Sequence, residues 1–204
     1  MLRLYTNAMS RGRIARWMLE ELGEPYEVTL LDFATTMKAP DYLALNPMGK
    51  VPTLVHDGAV VTEVAATCAY LADAFPQAGL APPTDRRAAY YRWLFFAAGP
   101  VEQAVTARAL GLEAPAEREA NVGYGSFARC MDTLEWAVSQ NEYIAGPDFT
   151  AADVYMGSQI GWGLRFGTIE RRPAFGAYWA RLESRPARLR AEALDNAALP
   201  KREE

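Results

Sequence analysis

The chain has 204 residues, half of them hydrophobic and 23% charged, which suits one large domain or two small packed ones. A net charge of −4 and a pI near 5.2 offer no basic face, so neither nucleic acid nor an anionic membrane is an expected partner. No run approaches the roughly 18 apolar residues of a membrane span, and MLRLYTN lacks the build of a signal peptide.

Residues 1–76 alternate strand and helix signals. LRLYT is a short apolar strand, and RIARWMLEELG has helical spacing closed by Gly23, a candidate C-cap. YEVTLLDF is a second strand. After a polar loop come PTLV and AVV, joined across Asp57-Gly58, a strong hairpin signal. EVAATCAYLADAF is an amphipathic helix. The order βαβ, loop, ββα predicts a small mixed sheet covered by helices. Residues 77–85, rich in Pro, Gly and Ala, form a linker.

Residues 86–204 carry helical patterns only. These are RRAAYYRWLFFAAGPVEQAVTARAL, AEREANVGYGSFARCMDTLEWAVSQ, TAADVYMGSQIGWGLRF and FGAYWARLESRPARLRAE, giving about five helices. Thr150 to Asp153 has the form of a capping box. Tyr90, Trp93 and Phe96 share one helical face, with Phe95 beside them; such a stripe is core first and pocket second. Gly161, Gly163 and Gly167 flank Trp162 and Phe166 and would let the backbone approach another helix closely.

Chemistry concentrates around KVPTLVHDGAVVTEV, residues 50–64. Pro52 suits a strand start because it has no N–H to donate. A cis bond is plausible there and would turn the Val51 N–H and C=O toward an extended peptide ligand; a trans proline opening a strand explains the residue equally. Glu63 at a helix start is favoured by the helix dipole alone. It would also hold an ammonium while the N–H groups at 63 and 64 hold a carboxylate, together capturing an α-amino-acid end. His56 is the only histidine, and Cys68 and Cys130 stand apart, so no metal site is expected, and a cytoplasmic protein with reduced thiols is.

LNPMGKVPTLVHDGAVVTEVAATCAYL, with LYTNAMSRGRIARWMLEELGEPYE upstream and GPDFTAADVYMG in the second half, resembles the glutathione S-transferase family. The resemblance implies a thioredoxin-like α/β N-terminal domain that binds glutathione, and an all-α C-terminal domain with a hydrophobic second-substrate pocket. It implies that Val51 pairs its backbone with the cysteinyl part of glutathione, that Pro52 is cis, and that Glu63 takes the γ-glutamyl ammonium. Lys50 and Lys38 become candidates for the glycyl carboxylate, though each is also an ordinary surface charge. Where the family usually has Ser or Thr after the acid, this chain has Val64. The backbone N–H remains, but the lost hydroxyl bond would weaken binding by up to about tenfold.

A free thiol has a pKa near 8.5, so the enzyme needs a donor aimed at the sulfur. Serine-type, bacterial members place their serine where Ser10 stands; its competing role is the helix N-cap. Tyr5 is the rival donor, more naturally packed in the core. Asn7 offers an amide, and Arg11 and Arg13 offer positive charge. Cys68, one turn beyond Val64, is not placed for a mixed disulfide. The expected protein is a homodimeric, cytoplasmic, detoxifying transferase that joins glutathione to an apolar electrophile without metal. The alternatives are reduction of hydroperoxides at the same site, or a glutathione-fold binding or regulatory protein. Nothing points to an RNA-polymerase-associated role.

Overall fold

The computed structural model of the protein describes residues 1–199. Strand β1 (Leu2–Thr6) leads into helix α1 (Gly12–Leu22) and then β2 (Tyr26–Leu30), which lies parallel to β1 with Leu4 opposite Val28. Leu2, Leu4 and Thr6 alternate inward along β1, the period-two pattern of a strand with one covered face. Helix α1 stops at Gly23, where φ is 72° and the N–H closes on the Leu19 carbonyl, as the sequence predicts. The YEVTLLDF segment is strand only to Leu30.

The polar loop that follows contains an unpredicted helix, α2 (Pro40–Leu45). Its proline occupies the first turn, where a missing N–H costs nothing, and Tyr42 is its buried side chain. Strands β3 (Thr53–His56) and β4 (Ala59–Val61) form the predicted hairpin, with Asp57 and Gly58 at φ 49° and 88° in the turn. Strand β3 runs antiparallel to β1, so the sheet order is β2-β1-β3-β4. Helix α3 (Val64–Ala74) follows directly. This is the mixed sheet with helices that the resemblance implies.

Beyond residue 78 the chain is helical, and the only further β pairing among the described residues is an isolated bridge between Tyr143 and Gly146. Helix α4 (Ala88–Phe96) passes through one wide turn (Ala97–Val101) into α5 (Glu102–Ala109). Pro100 sits in that turn and lacks the N–H that a regular turn would use. Helices α6 (Phe127–Val138), α7 (Ala151–Phe166), α8 (Pro173–Leu182) and α9 (Pro186–Ala197) complete it.

Two predicted helices are corrected. The 116–140 pattern is α-helical only from Phe127, after a short tight 3-10 turn at Ala116–Asn121. The 175–192 pattern breaks because Arg185 precedes Pro186 and is held extended, at φ −58° and ψ 130°.

The described residues form two compact units, 1–78 with 185–199, and 79–184. The reading of 86–204 as one helical domain is therefore changed at its end, because α9 packs on α1 of the first unit. Arg16, 4% exposed, meets Asp195, 0% exposed, at 2.8 Å. Arg185 donates twice to Glu21, at 2.7 and 2.8 Å, and Arg190 bonds Glu20 at 3.0 Å.

In the second unit α7 is central. Its capping box is present, with the Asp153 carboxylate accepting from the Thr150 N–H (2.9 Å) and hydroxyl (3.0 Å), the Ile144 N–H (2.8 Å) and the Tyr178 hydroxyl (2.7 Å). A Cβ at Gly161 would lie 2.6 Å from the Trp179 ring, so the backbone of α7 does come close to another helix, α8, through its indole. Tyr90 and Trp93 are buried, Phe96 is half-buried and Phe95 is exposed.

Candidate active site

The register of the sheet gathers the candidate residues at one end. Tyr5 pairs with Thr53, and Leu54 with Val61. Pro52 immediately precedes Thr53, and Glu63 follows Val61 by two residues, so both lie at the sheet end where β1 finishes at Thr6. The turn from β1 into α1 leaves from the same end and carries Ser10 and Arg11. Three pieces far apart in sequence are thus brought together by strand pairing.

The Val51–Pro52 peptide is cis. Among the described residues no hydrogen bond engages the Val51 N–H or C=O, and the ladder begins at Thr53. The loop in front is held by two side chains that the sequence reading did not single out. Tyr42 and Asn46 both donate to the Lys50 carbonyl, Asn46 at 2.8 Å, and both reach the Thr53 hydroxyl, at 2.8 and 3.2 Å. The available signal was the Asn of NPMG, a side chain that bonds backbone two residues on; Met48 N–H donates to its Oδ1 at 3.1 Å. Gly49 completes the turn at φ 56°, a left-handed position that favours glycine.

Glu63 is the N-cap residue of α3 and takes φ 64° and ψ 126°. Left-handed backbone at a non-glycine residue costs of order 1–3 kcal/mol and is kept where the surroundings demand it. The Glu63 side chain is exposed and makes no capping bond, and no ion pair engages it among the described residues. Its carbonyl accepts the Thr67 N–H at 2.8 Å, so the N–H groups of the preceding turn have no intrahelical acceptor. Val64 is 7% exposed, a packed side chain at the first helical position.

Ser10 is half-buried, and both sides of its hydroxyl are in use. The Oγ–H donates to the Asn7 carbonyl at 2.6 Å, and the Oγ accepts the Gly12 N–H at 2.9 Å. The N-capping role is therefore occupied, and donation to a sulfur requires the hydroxyl to turn off Asn7. Asn7 is itself fixed, donating to the Leu31 carbonyl at 2.7 Å and accepting the Met9 N–H at 2.8 Å. Gly12 is required here, since a Cβ would sit 1.9 Å from the buried Thr6 hydroxyl.

Tyr5 is half-buried, with its ring 5.7 Å from that of Tyr42, packed on the cluster of Leu31, Met37 and Tyr42. Arg11 is exposed at the head of α1. Arg13 is half-buried and donates to the Ala8 carbonyl at 2.5 Å and to Asn196 Oδ1 at 2.9 Å. Lys38 donates to the Gly49 carbonyl at 2.7 Å, which uses one of its three ammonium N–H groups. Lys50 is exposed and, among the described residues, makes no ion pair. Burial pushes the Cys68 and Cys130 thiols up to about 12, far from a reactive thiolate. Among the described residues no group of three His, Cys, Asp or Glu could hold a metal ion, and no helix is long and apolar enough to cross a membrane.

Residues 8–74 match the family model of the glutathione S-transferase N-terminal domain. The chain is 31% identical over 202 residues to glutathione S-transferase 3 of Zea mays, covering 91% of this chain and 90% of that protein. It is 31% identical over 166 residues to glutathione S-transferase GST-4.5 of Xanthomonas campestris, covering 78% and 81%. A solved sphingomonad glutathione S-transferase complexed with glutathione matches with a TM-score of 0.77 at 30% identity, over 95% of this chain and 98% of that one.

Proposed function

Because the chain belongs to the glutathione S-transferase family and is a transferase with it, we propose that it joins the thiol of glutathione to an electrophilic carbon of an apolar substrate. Glutathione is gripped at the sheet end of the first unit. The Val51 N–H and C=O pair with the cysteinyl backbone, the Glu63 carboxylate takes the γ-glutamyl ammonium, and the free N–H groups at the start of α3 take its carboxylate. Lys50 meets the glycyl carboxylate, with Lys38, one of whose three N–H groups is used by Gly49, as the second candidate. The observation that carries this reading is Glu63: a strained, exposed acid with no ion-pair partner among the described residues, at the end of the sheet where the Val51 peptide is unpaired.

Ser10 supplies the hydrogen bond to the sulfur, assisted by the positive end of α1. Its hydroxyl donates to the Asn7 carbonyl, so a thiolate has to compete for that hydrogen bond; a charged acceptor makes roughly twice as strong a bond as a neutral carbonyl. The thiol proton passes to solvent, and the thiolate, held close to the carbon, forms the C–S bond as the leaving group departs as an anion, without a covalent enzyme intermediate or a metal. The protein acts as a cytoplasmic homodimer in detoxification. Tyr91 and Phe95, 39% and 58% exposed on α4, are apolar surface suited to a two-fold contact.

One observation favours a second reading. The engaged Ser10 hydroxyl, together with Val64, suits a protein that binds glutathione with little turnover. The two are separated with wild type, Ser10→Ala and Tyr5→Phe, by calorimetry with glutathione, thiolate absorbance of the bound ligand, and conjugation of a chloronitrobenzene. A transferase binds glutathione, lowers its thiol pKa, and loses that shift in Ser10→Ala. Absence of binding at millimolar glutathione sinks both readings, and binding with an unshifted thiol leaves only the second. Loss in Tyr5→Phe with retention in Ser10→Ala moves the donor to Tyr5.

A further inference from the structure

We infer that the last helix is part of the catalytic scaffold: Asn196 on α9 positions Ser10 by holding Arg13 against the Ala8 carbonyl, an inference that rests on Ser10 being the donor to the thiol. The turn from β1 into α1 has two anchors. On one side the Asn7 side chain ties it to Leu31 and Met9. On the other side Arg13 Nε donates to the Ala8 carbonyl at 2.5 Å, two residues before Ser10. The second anchor is not self-contained. A guanidinium is a rigid planar fork, so the bond from its terminal nitrogen to Asn196 Oδ1, at 2.9 Å, sets the direction in which Nε–H points.

The neighbouring contact fixes Asn196 in turn. Arg16, three residues after Arg13 and so on the same face of α1, is buried and bonded to Asp195 at 2.8 Å. Asp195 also lies within the field of Arg13. Residues 195 and 196 therefore dock on two successive arginines, and the register of α9 is transmitted to the Ala8 carbonyl. The contact spans 183 positions of sequence. Ser10 has to exchange its Asn7 bond for one to sulfur, so a small shift of this turn changes the balance. Misplacement near 1 Å is enough to cost large factors in rate.

The test uses the full-length protein and the variants Asn196→Ala, Asn196→Asp and, as a control on the same helix, Arg190→Ala. In each, kcat, KM for glutathione, the thiol pKa of bound glutathione and the melting temperature are measured. Asn196→Ala is expected to raise the bound thiol pKa and to lower kcat by roughly five- to tenfold, with glutathione affinity within about twofold because its grips lie elsewhere. Asn196→Asp is expected to recover both, since its carboxylate accepts the same N–H, and Arg190→Ala is expected to match wild type. A wild-type thiol pKa and kcat in Asn196→Ala overturns the inference. So does a loss that only follows the melting temperature and is not recovered by Asn196→Asp. Ser10→Ala run in parallel separates the premises. If it leaves the thiol pKa unchanged, the assignment of Ser10 fails; if it raises the pKa while Asn196→Ala does not, only the role of α9 fails.

Discussion

Helix α7 begins with Thr150 in extended geometry, at φ −137° and ψ 174°, and with Asp153 folded back onto it. Helix α3 begins with Glu63 at φ 64°, its carboxylate turned outward and no side chain capping the turn. Both starts pair a threonine with an acid, Thr150 with Asp153 and Thr62 with Glu63, yet they use the acid oppositely. Asp153 is 0% exposed and accepts four hydrogen bonds from within the chain; burial raises its carboxyl above the ordinary value while those bonds pull it down. Both carboxylate oxygens of that acid are spent on the fold. At α3 the donors and the acid are left over, and the backbone is strained to leave them so. A helix start whose groups are satisfied internally is architecture; one with unspent groups has room for a ligand that supplies the missing partners.

Removing the acid from each start should therefore have opposite consequences. Asp153→Ala leaves the Tyr178 hydroxyl and the Ile144 and Thr150 N–H groups buried without an acceptor. At about 1–3 kcal/mol for each orphaned group, a total near 3–5 kcal/mol is expected. For a protein of this length that lowers the melting temperature by roughly 10 °C. Glu63→Gly should do the reverse. Glycine adopts the left-handed backbone freely, so stability stays equal or rises by up to about 1 kcal/mol, while glutathione affinity falls at least about tenfold through the lost ammonium partner. A Glu63→Gly protein that unfolds early and binds normally would make α3 architecture too, and the contrast would vanish.

How each of these sites reads in the sequence follows from the range of its forces. The Gly23 cap, the Asp57-Gly58 hairpin and the Thr150–Asp153 box are bonds between residues a few positions apart, so local residue types reveal them. Helix α2 escaped because its six residues begin at a proline inside a polar stretch, with Tyr42 its only buried side chain. The break before Pro186 was visible in principle, since a residue before proline resists helix, but the apolar spacing ran across it. Ser10 lies in the turn before α1 that the helix signal marks, yet whether its hydroxyl faces Asn7 or a ligand is a rotamer choice that no spacing encodes. The docking of α9 on Arg13 and Arg16 joins residues about 180 positions apart and leaves no local mark.

Val64 gives the comparison a finer edge, because it follows the open acid and is itself closed, at 7% exposure. Val64→Ser would place a hydroxyl at the first helical position. If the turn is a ligand grip, the added bond tightens glutathione by up to about tenfold while the lost packing costs roughly 1 kcal/mol of stability. Unchanged glutathione affinity with the same stability cost would mean that the side chain at 64 only packs, and that the grip is made by the backbone alone.

One helical turn further on, α3 should show no response at all. Burial disfavours the charged form of Cys68 and pushes its pKa up to about 12, so even at pH 9 roughly one molecule in a thousand carries the thiolate. Raising the pH from 7 to 9 multiplies that fraction but leaves it too small, and the sulfur too covered, for a reagent. In native Cys130→Ala protein the remaining thiol should stay unmodified by an aromatic disulfide reagent across this range and react fully in denaturant. Rapid modification of the native state would mean that α3 opens beyond its first turn. The strain at Glu63 would then belong to a loose helix end rather than to a rigid one held ready, and the openness of this start would no longer distinguish it as a binding site.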